Sequence, residues 1–468
     1  MTEKYSIDKL PKRILASVVS SVSAGVVPRA GAPYIAIGRR DEIAALLSDL
    51  ELISDGGGAM RFLIGRYGSG KSFLIQLIRG YALERDFLTA DCDLSPERRL
   101  YGTAGTGLAT YRELMKNLAS KSSPDGDALK KIIARWIFDQ QSRLADEGIV
   151  PESAAFAPAF EKRVRDTMRD IEFMVGGFDF ARVITEYYTA TSREDDAVST
   201  ACLRWLRGEY SSRTEARRDL GFDVSCVIDD RNWYDFIKLW AALAPKIGYR
   251  GLIVFIDECV NLFKIPHRVS RENNYEKILS MFNDTLQGRA PHLGIVFGGT
   301  PQFLEDTRRG LFGYEALRSR LCDSRFSSDN FKNYVGPVIR LARLSDDELL
   351  ALIVRMTALH GVYYAWQPRI TSDEQIAFLK ACLARAGADA MITPREMLRD
   401  YMTLLNILLQ NPEANYADVA GKMPSAQPAV SQGASPAPET AEEAVGAGKD
   451  NPRLSADAHP FDPNDIDF

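Results

Sequence analysis

The stretch Met60-Arg-Phe-Leu-Ile-Gly-Arg-Tyr-Gly-Ser-Gly-Lys-Ser-Phe-Leu74 runs from a short apolar strand, Phe62 to Ile64, through a glycine-rich turn into a helix whose apolar side extends from Phe73 to Ile78. Its turn has the pattern GxxxxGKS, a phosphate-binding loop of the Walker A type in the strand-turn-helix context that type requires. Gly65, Gly68 and Gly70 carry no Cβ. The loop is therefore free to adopt positive φ and to turn consecutive backbone N–H groups toward the β- and γ-phosphates of ATP at the helix N-terminus. In that arrangement Arg66, Tyr67, Ser69 and Phe73 complete the cradle, Lys71 reaches the β/γ oxygens and Ser72 ligates Mg²⁺.

Gly251-Leu-Ile-Val-Phe-Ile-Asp-Glu258 is the second informative stretch. An unbroken apolar run of this kind is what a strand buried on both faces looks like, and it ends in two carboxylates, as a Walker B strand does. Asp257 would hold the Mg²⁺ through water, and Glu258 would orient and polarise an attacking water. Such a strand is common by itself; its weight comes from the phosphate loop in the same chain. Further core strands are predicted at Phe87–Asp93, at Leu293–Gly299 ahead of Thr300-Pro301, and at Val335–Leu341. Asp91 and Asp93 either approach the phosphate-side crevice or simply solvate their strand end.

At 468 residues the chain is long enough for two or three domains, and 46% hydrophobic with 26% charged residues is ordinary for a globular protein. Against 63 acidic residues stand 58 basic ones, so contact with nucleic acid would need a local patch. The six cysteines (92, 202, 226, 259, 322, 382) and four histidines are scattered singly. That pattern fits reduced thiols in a cytoplasm and no structural metal beyond nucleotide-bound Mg²⁺. Neither a signal peptide nor a membrane-length apolar run is visible, so a cytoplasmic protein without a membrane partner is expected.

In chain order, residues 1–33 hold an amphipathic helix over 7–22, with Ile7, Leu10, Ile14, Leu15 and Val18 or Val19 at helical spacing, followed by a Gly/Pro break. The first part of the core spans 34–109. It opens with an apolar approach, Tyr34 to Ile37, to a Gly38-Arg39 turn and a helix with Asp41 and Glu42 in its first turn. From 110 to 248 the composition turns helical, with helices predicted over 110–120, 127–147, 159–175, 178–190, 195–218 and 231–245. This insertion far exceeds the short connections of a minimal α/β domain. The second part of the core covers 249–344. A small helical lid, 345–411, has helices near 345–360, 372–386 and 394–410, with a Ser345/Glu348 capping box, an N-cap at Thr393 and Pro394 at N1. Residues 412–468, rich in Ala, Pro, Ser, Gly and Glu, read as a disordered tail. Its end, Phe461-Asp-Pro-Asn-Asp-Ile-Asp-Phe468, is either a short docking peptide or a plain acidic terminus.

Walker A, the insertion, Walker B, the Gly298-Gly299-Thr300 strand end, the Ser319-Arg320 segment and Thr393-Pro394-Arg395 cover residues 30–410 and together resemble an AAA+ ATPase of the origin-recognition kind. The fold this implies is an α/β P-loop NTPase with a parallel sheet core, a helical insertion and an α-helical lid. More narrowly, the N-terminal helix before Gly38-Arg39-Arg40, the Gly65–Ser72 loop, the large insertion and the acidic Ile466-Asp467-Phe468 end look like the BrxC/BrxD family of ATP-binding proteins, found in bacterial phage-exclusion (BREX) and related defence systems.

By this resemblance the Gly38-Arg39 segment lines the adenine pocket. Thr300 stands at the sensor 1 position, where Asn is commoner, and Arg395 at sensor 2, on the γ-phosphate. One of Arg318, Arg320 and Arg325, with Arg320 the first choice, is the finger that a subunit inserts into its neighbour's site, unless this is only a solvated basic face. The resemblance implies an ATP-hydrolysing motor or switch that forms a homo-oligomer, works with other defence-system proteins and contacts DNA, if at all, without sequence preference. Only one helix follows Arg395, which leaves no room for a winged-helix DNA-binding domain. The alternative is a non-catalytic, ATP-dependent scaffold that docks partners. A P-loop kinase would leave Thr300, Arg320 and Arg395 unexplained.

Overall fold

The apolar runs become strands β1 (Ala59–Ile64), β2 (Leu88–Asp93), β3 (Leu252–Asp257), β4 (Leu293–Gly299) and β5 (Val338–Arg340). They form one parallel sheet in the order β2-β3-β4-β1-β5. The structure is a computed structural model that describes residues 10–150, 153–322, 333–385 and 393–420. Ahead of β1 lie α1 (Lys12–Ser23) and α2 (Arg40–Ser54), and α3 (Lys71–Glu84) follows it. Side chains alternate across the sheet. Phe62, Ile64, Val254, Ile256 and Phe297 enter the largest core, where Phe62 and Phe297 stack at 5.4 Å. Leu63, Ile253, Phe255 and Val296 face the other way and pack on α2 and α3. Both faces are covered, which explains why these strands read as continuous apolar runs rather than alternating ones.

Between β2 and β3 come α4 (Thr106–Lys116), α5 (Leu129–Asp146), α6 (Phe156–Met168), α7 (Gly177–Ser192), α8 (Asp196–Leu206), α9 (Arg213–Leu220) and α10 (Trp233–Leu243). Their aromatic residues, among them Trp136, Phe160, Phe180, Trp205 and Trp240, belong to the same buried cluster as one face of the sheet. The insertion therefore shares the core of the sheet. The single helix expected over 195–218 is broken into α8 and α9. Gly208 turns the chain with φ 71°, and a Cβ there would meet Leu108 at 3.0 Å; Asp195 and Ser212 each cap the helix that follows them.

After β3 come α11 (Val260–Phe263) and α12 (Arg268–Leu286), and after β4 come α13 (Pro301–Glu305) and α14 (Glu315–Leu321). The lid consists of α15 (Asp346–Tyr364), α16 (Ser372–Arg385) and α17 (Pro394–Gln410), and both the Ser345/Glu348 and Thr393/Glu396 capping boxes are formed. The N-terminal helix joins this bundle. Leu15, Val18, Val19 and Val22 of α1 are buried with Ile353, Met356, Tyr401 and Leu405, so the apolar side of α1 is satisfied by the lid and not by the sheet. The apolar approach to Arg39 is a 3₁₀ turn, Ala32–Ile35, with Pro33 fixing φ at its second residue.

A short helix, α18 (Tyr416–Ala420), lies beyond Asn411, where composition places the start of the tail. Tyr416 and Val419 pack against the lid core, and Arg369 donates to the carbonyls of Leu408 and Asn411 at 2.9 and 3.2 Å, which holds this extension down. Residues 421–468, with the terminal Phe461–Phe468 peptide, lie outside the described residues. No described helix is long and apolar enough to cross a membrane.

The lid contains a buried proton-sensitive contact. His360 is fully buried; its Nδ1 accepts from Trp366 Nε1 at 2.9 Å, so its Nε2 carries the proton toward Asn406 Oδ1 at 3.0 Å. Burial lowers its pKa below the ordinary imidazole value. A depressed folded-state pKa means that the unfolded chain takes up a proton first, so stability is full above about pH 6.5 and is lost as the pH falls below it. The melting temperature of the wild type is expected to drop more between pH 7.5 and 5.5 than that of His360→Gln, whose amide offers the same acceptor and donor without titrating; equal drops would remove His360 as the source.

Candidate nucleotide-binding site

Because the sheet is parallel and in register, the C-terminal ends of β1, β3 and β4 open on one edge. Ile64 stands beside Gly299, and Asp257 is opposite Asp93. β4 lies between the phosphate-loop strand and the carboxylate strand, so Thr300 emerges between them. A cavity of about 470 Å³ lies over this edge, a size suited to a small-molecule ligand. Its polar lining includes Gly68 to Ser72, Asp257, Glu258 and Thr300, and its apolar lining includes Val22, Val26, Ile35, Ile37, Leu344, Leu352 and Leu398.

In the phosphate loop, Gly68 and Gly70 adopt φ of 76° and 88°. Gly65 does not need positive φ; it is constrained because a Cβ there would lie 2.2 Å from Ser69 Oγ. Lys71 Nζ donates to the carbonyls of Gly65 and Arg66 at 2.9 and 3.2 Å. These two residues meet the site through those oxygens, and neither lines the cavity wall. Tyr67 is 78% exposed at the loop tip. Burial lowers the Lys71 pKa, against the opposing pull of Asp257 and Glu258. Phe73 packs against both the lid core and the sheet-helix core, at the junction of the two.

Ser72 Oγ donates to Asp257 Oδ2 at 2.8 Å, and the Glu258 backbone N–H donates to Asp257 Oδ1 at 2.8 Å. Gly298 leaves room for that carboxylate, since a Cβ there would stand 2.2 Å from Oδ1. Glu258 itself has φ 57°, an uncommon backbone for a non-glycine residue. Its carboxylate makes no hydrogen bond or ion pair among the described residues. Thr300 lines the cavity and caps α13, its hydroxyl accepting from Phe303 N–H at 3.3 Å. Asp93 is pushed up in pKa by lost hydration and then by the neighbouring Asp257 and Glu258 charges, whereas Asp91 faces away to Arg79 at 3.1 Å and is structural. Cys259, next to Glu258, is fully buried with its thiol pKa well above the usual value, which makes it an inert packing residue.

Arg39 lines the cavity with φ 61°, but its guanidinium is committed to the chain. It donates to Ser69 O at 2.9 Å and to Ala342 O, and pairs with Glu42 at 3.4 Å. Arg395 lines the cavity from the first turn of α17 and has no polar partner among the described residues. Arg320 does not line it: exposed on α14, it bonds Ala316 O at 2.7 Å. Arg318 is likewise exposed, and Arg325 lies outside the described residues. Sequence reasoning missed the Gly25–Pro28 loop, Lys264 and the apolar lid residues, all on the cavity wall. The Gly/Pro break over 23–33 was the one available signal, and it pointed only to a turn.

The residues fit a magnesium nucleotide. Ser72 and Asp257 supply paired hard oxygen donors, and Ser69 Oγ is buried in the loop without a partner. Sheet, phosphate loop and lid define a P-loop NTPase of AAA+ architecture. The sequence profile of the family described as BREX system ATP-binding protein BrxC/D matches residues 10–423, from α1 through α18, and the chain belongs to that family. No curated protein matches the sequence.

The lid meets the loop at Gly68, where a Cβ would stand 2.5 Å from Thr393 Cγ2. Gly68→Ala adds roughly 1–2 kcal/mol of left-handed strain and pushes the lid from the loop. It is expected to weaken ATP binding by roughly tenfold or more with little change in melting temperature; unchanged affinity by calorimetry would show that the lid does not bear on the loop.

Proposed function

We propose that this ATP-binding protein hydrolyses ATP and acts as a motor or switch in a phage-defence assembly. The observation that carries the reading is the contrast between two adjacent carboxylates. Asp257 is held on both oxygens by Ser72 and a backbone N–H, as a metal-orienting group needs to be; Glu258 points into the cavity with no hydrogen bond of its own. A carboxylate left free beside the phosphate loop suits a group that orients and deprotonates water.

Magnesium bound with ATP would neutralise the β- and γ-phosphate oxygens. Ser72 and Asp257 would hold the ion. The N–H groups of Gly68 to Ser72 and the ammonium of Lys71 hold the phosphates. Thr300 accepts from Phe303 and so keeps its own proton for a phosphate oxygen or the attacking water. Arg395 reaches the γ-phosphate from the lid. Arg320 completes a neighbour's site, since it lies outside its own cavity; this is the reason to expect a homo-oligomer. Other proteins of the defence system, and DNA bound without sequence preference, are the remaining proposed partners.

Glu258→Gln is expected to keep ATP binding and lose turnover, while Lys71→Ala loses binding, because only the latter removes contacts present before the transition state. Arg320→Ala should leave affinity nearly unchanged and cut turnover by roughly 10³-fold. Mixed with Glu258→Gln subunits, it should regain activity, since each Glu258→Gln subunit still offers a finger to an intact carboxylate. Turnover is measured with and without DNA. A wild-type protein that binds ATP and shows no turnover in either case would favour the ATP-dependent scaffold instead.

A further inference from the structure

One short segment after β3, Glu258, Cys259, Val260 and Lys264, lines the cavity together with the phosphate loop. Lys264 follows the single turn of α11, its N–H bonded to Val260 O at 3.0 Å, so that residues four apart share a face toward the cavity. The backbone on both sides of Lys264 is clamped. Arg309 donates to Phe263 O and to Ile265 O, each at 3.2 Å, and Arg271 donates to Ile265 O at 2.8 Å. The side chain of Lys264, by contrast, makes no hydrogen bond or ion pair among the described residues, although Glu258 stands on the same wall. Lys264 is itself exposed, and a fixed backbone that presents an unpaired ammonium on a cavity wall is an arrangement that an anionic ligand group completes.

We propose that Lys264 binds the terminal phosphate of ATP and gives the site its preference for ATP over ADP. The proposal rests on the nucleotide pose adopted above but not on hydrolysis. Lys71 approaches the phosphates from the loop, where its ammonium already lies over the Gly65 and Arg66 carbonyls. Lys264 lines the same cavity from the segment that begins at Glu258, the carboxylate that the reading above sets beside the terminal phosphate. ADP has no group at that place, so loss of the ammonium bears on ATP alone. The use of the ammonium that competes with this one is an ion pair with Glu258.

The test measures the affinity of the full chain for ATPγS and for ADP, with Mg²⁺, in the wild type, Lys264→Ala and Lys264→Met, with melting temperatures as a folding control. Lys264→Met keeps most of the stem and removes only the charge. Both variants are expected to bind ATPγS roughly tenfold or more weakly and ADP within about twofold of wild type, the loss of one charge-assisted phosphate contact. Unchanged ATPγS affinity, or equal losses for both nucleotides, overturns the proposal. A wild type that binds both nucleotides but never turns ATP over sinks the ATPase reading while leaving this test intact.

Discussion

A single hydrogen bond, Ser72 Oγ to Asp257 Oδ2 at 2.8 Å, joins the helix after the phosphate loop to the end of a strand 185 residues later. Its geometry depends on nearly everything else in the fold. β4 must lie between β1 and β3 with its Gly298 bare of a Cβ, and the three strands must end level. A slip of one residue in β3 would turn Asp257 to the opposite face of the sheet and carry the apolar side chains with it, so burial of both faces enforces the register. The long helical insertion does not disturb this alignment because its aromatic residues pack into the core that one sheet face already presents.

The second constraint is the way the lid is built. Its core needs the apolar side of α1, so the chain passes through the lid before it enters the sheet. The segment between, residues 24–39, forms one wall of the cavity on its way, and Arg39 ties its end to the phosphate loop and to the end of β5. Close contacts at Gly38 with Glu348 and at Gly68 with Thr393 fix how the lid meets this region. Movement of the lid would therefore move the apolar wall and the phosphate loop together. Arg29, within that segment, reaches Asp91 at 3.6 Å, an aspartate already held by the buried Arg79, so the wall also has a weak hold on β2.

The parts of the site that were legible in the sequence are those whose chemistry is local. A GxxxxGKS turn, an apolar strand ending in Asp-Glu, and Ser/Thr caps with Glu three residues on each state their structure within a few residues. What stayed hidden depends on partners far away in the chain. The spacing of α1 announces an apolar side but not that the lid is what covers it. Asp91 and Asp93 look alike as strand-end carboxylates; only the sheet order and Arg79 separate the structural one from the one beside Asp257. Lys264 carries no motif, and its place on the wall follows from the clamp that Arg309 and Arg271 put on its loop. The break between α8 and α9 and the helix at Tyr416 are likewise decided by contacts, with Leu108 and with the lid core, that periodicity does not encode.

The most direct test of the account is a crystal structure of the full chain with Mg²⁺ and ATPγS. The expected result places the phosphates on the N–H groups of Gly68 to Ser72 and the base between the Val22–Val26 turn and Leu398. A metal ion then separates Ser72 Oγ from Asp257, replacing the 2.8 Å hydrogen bond they share. Nucleotide bound elsewhere, with the Ser72–Asp257 hydrogen bond intact and no metal between them, would contradict it.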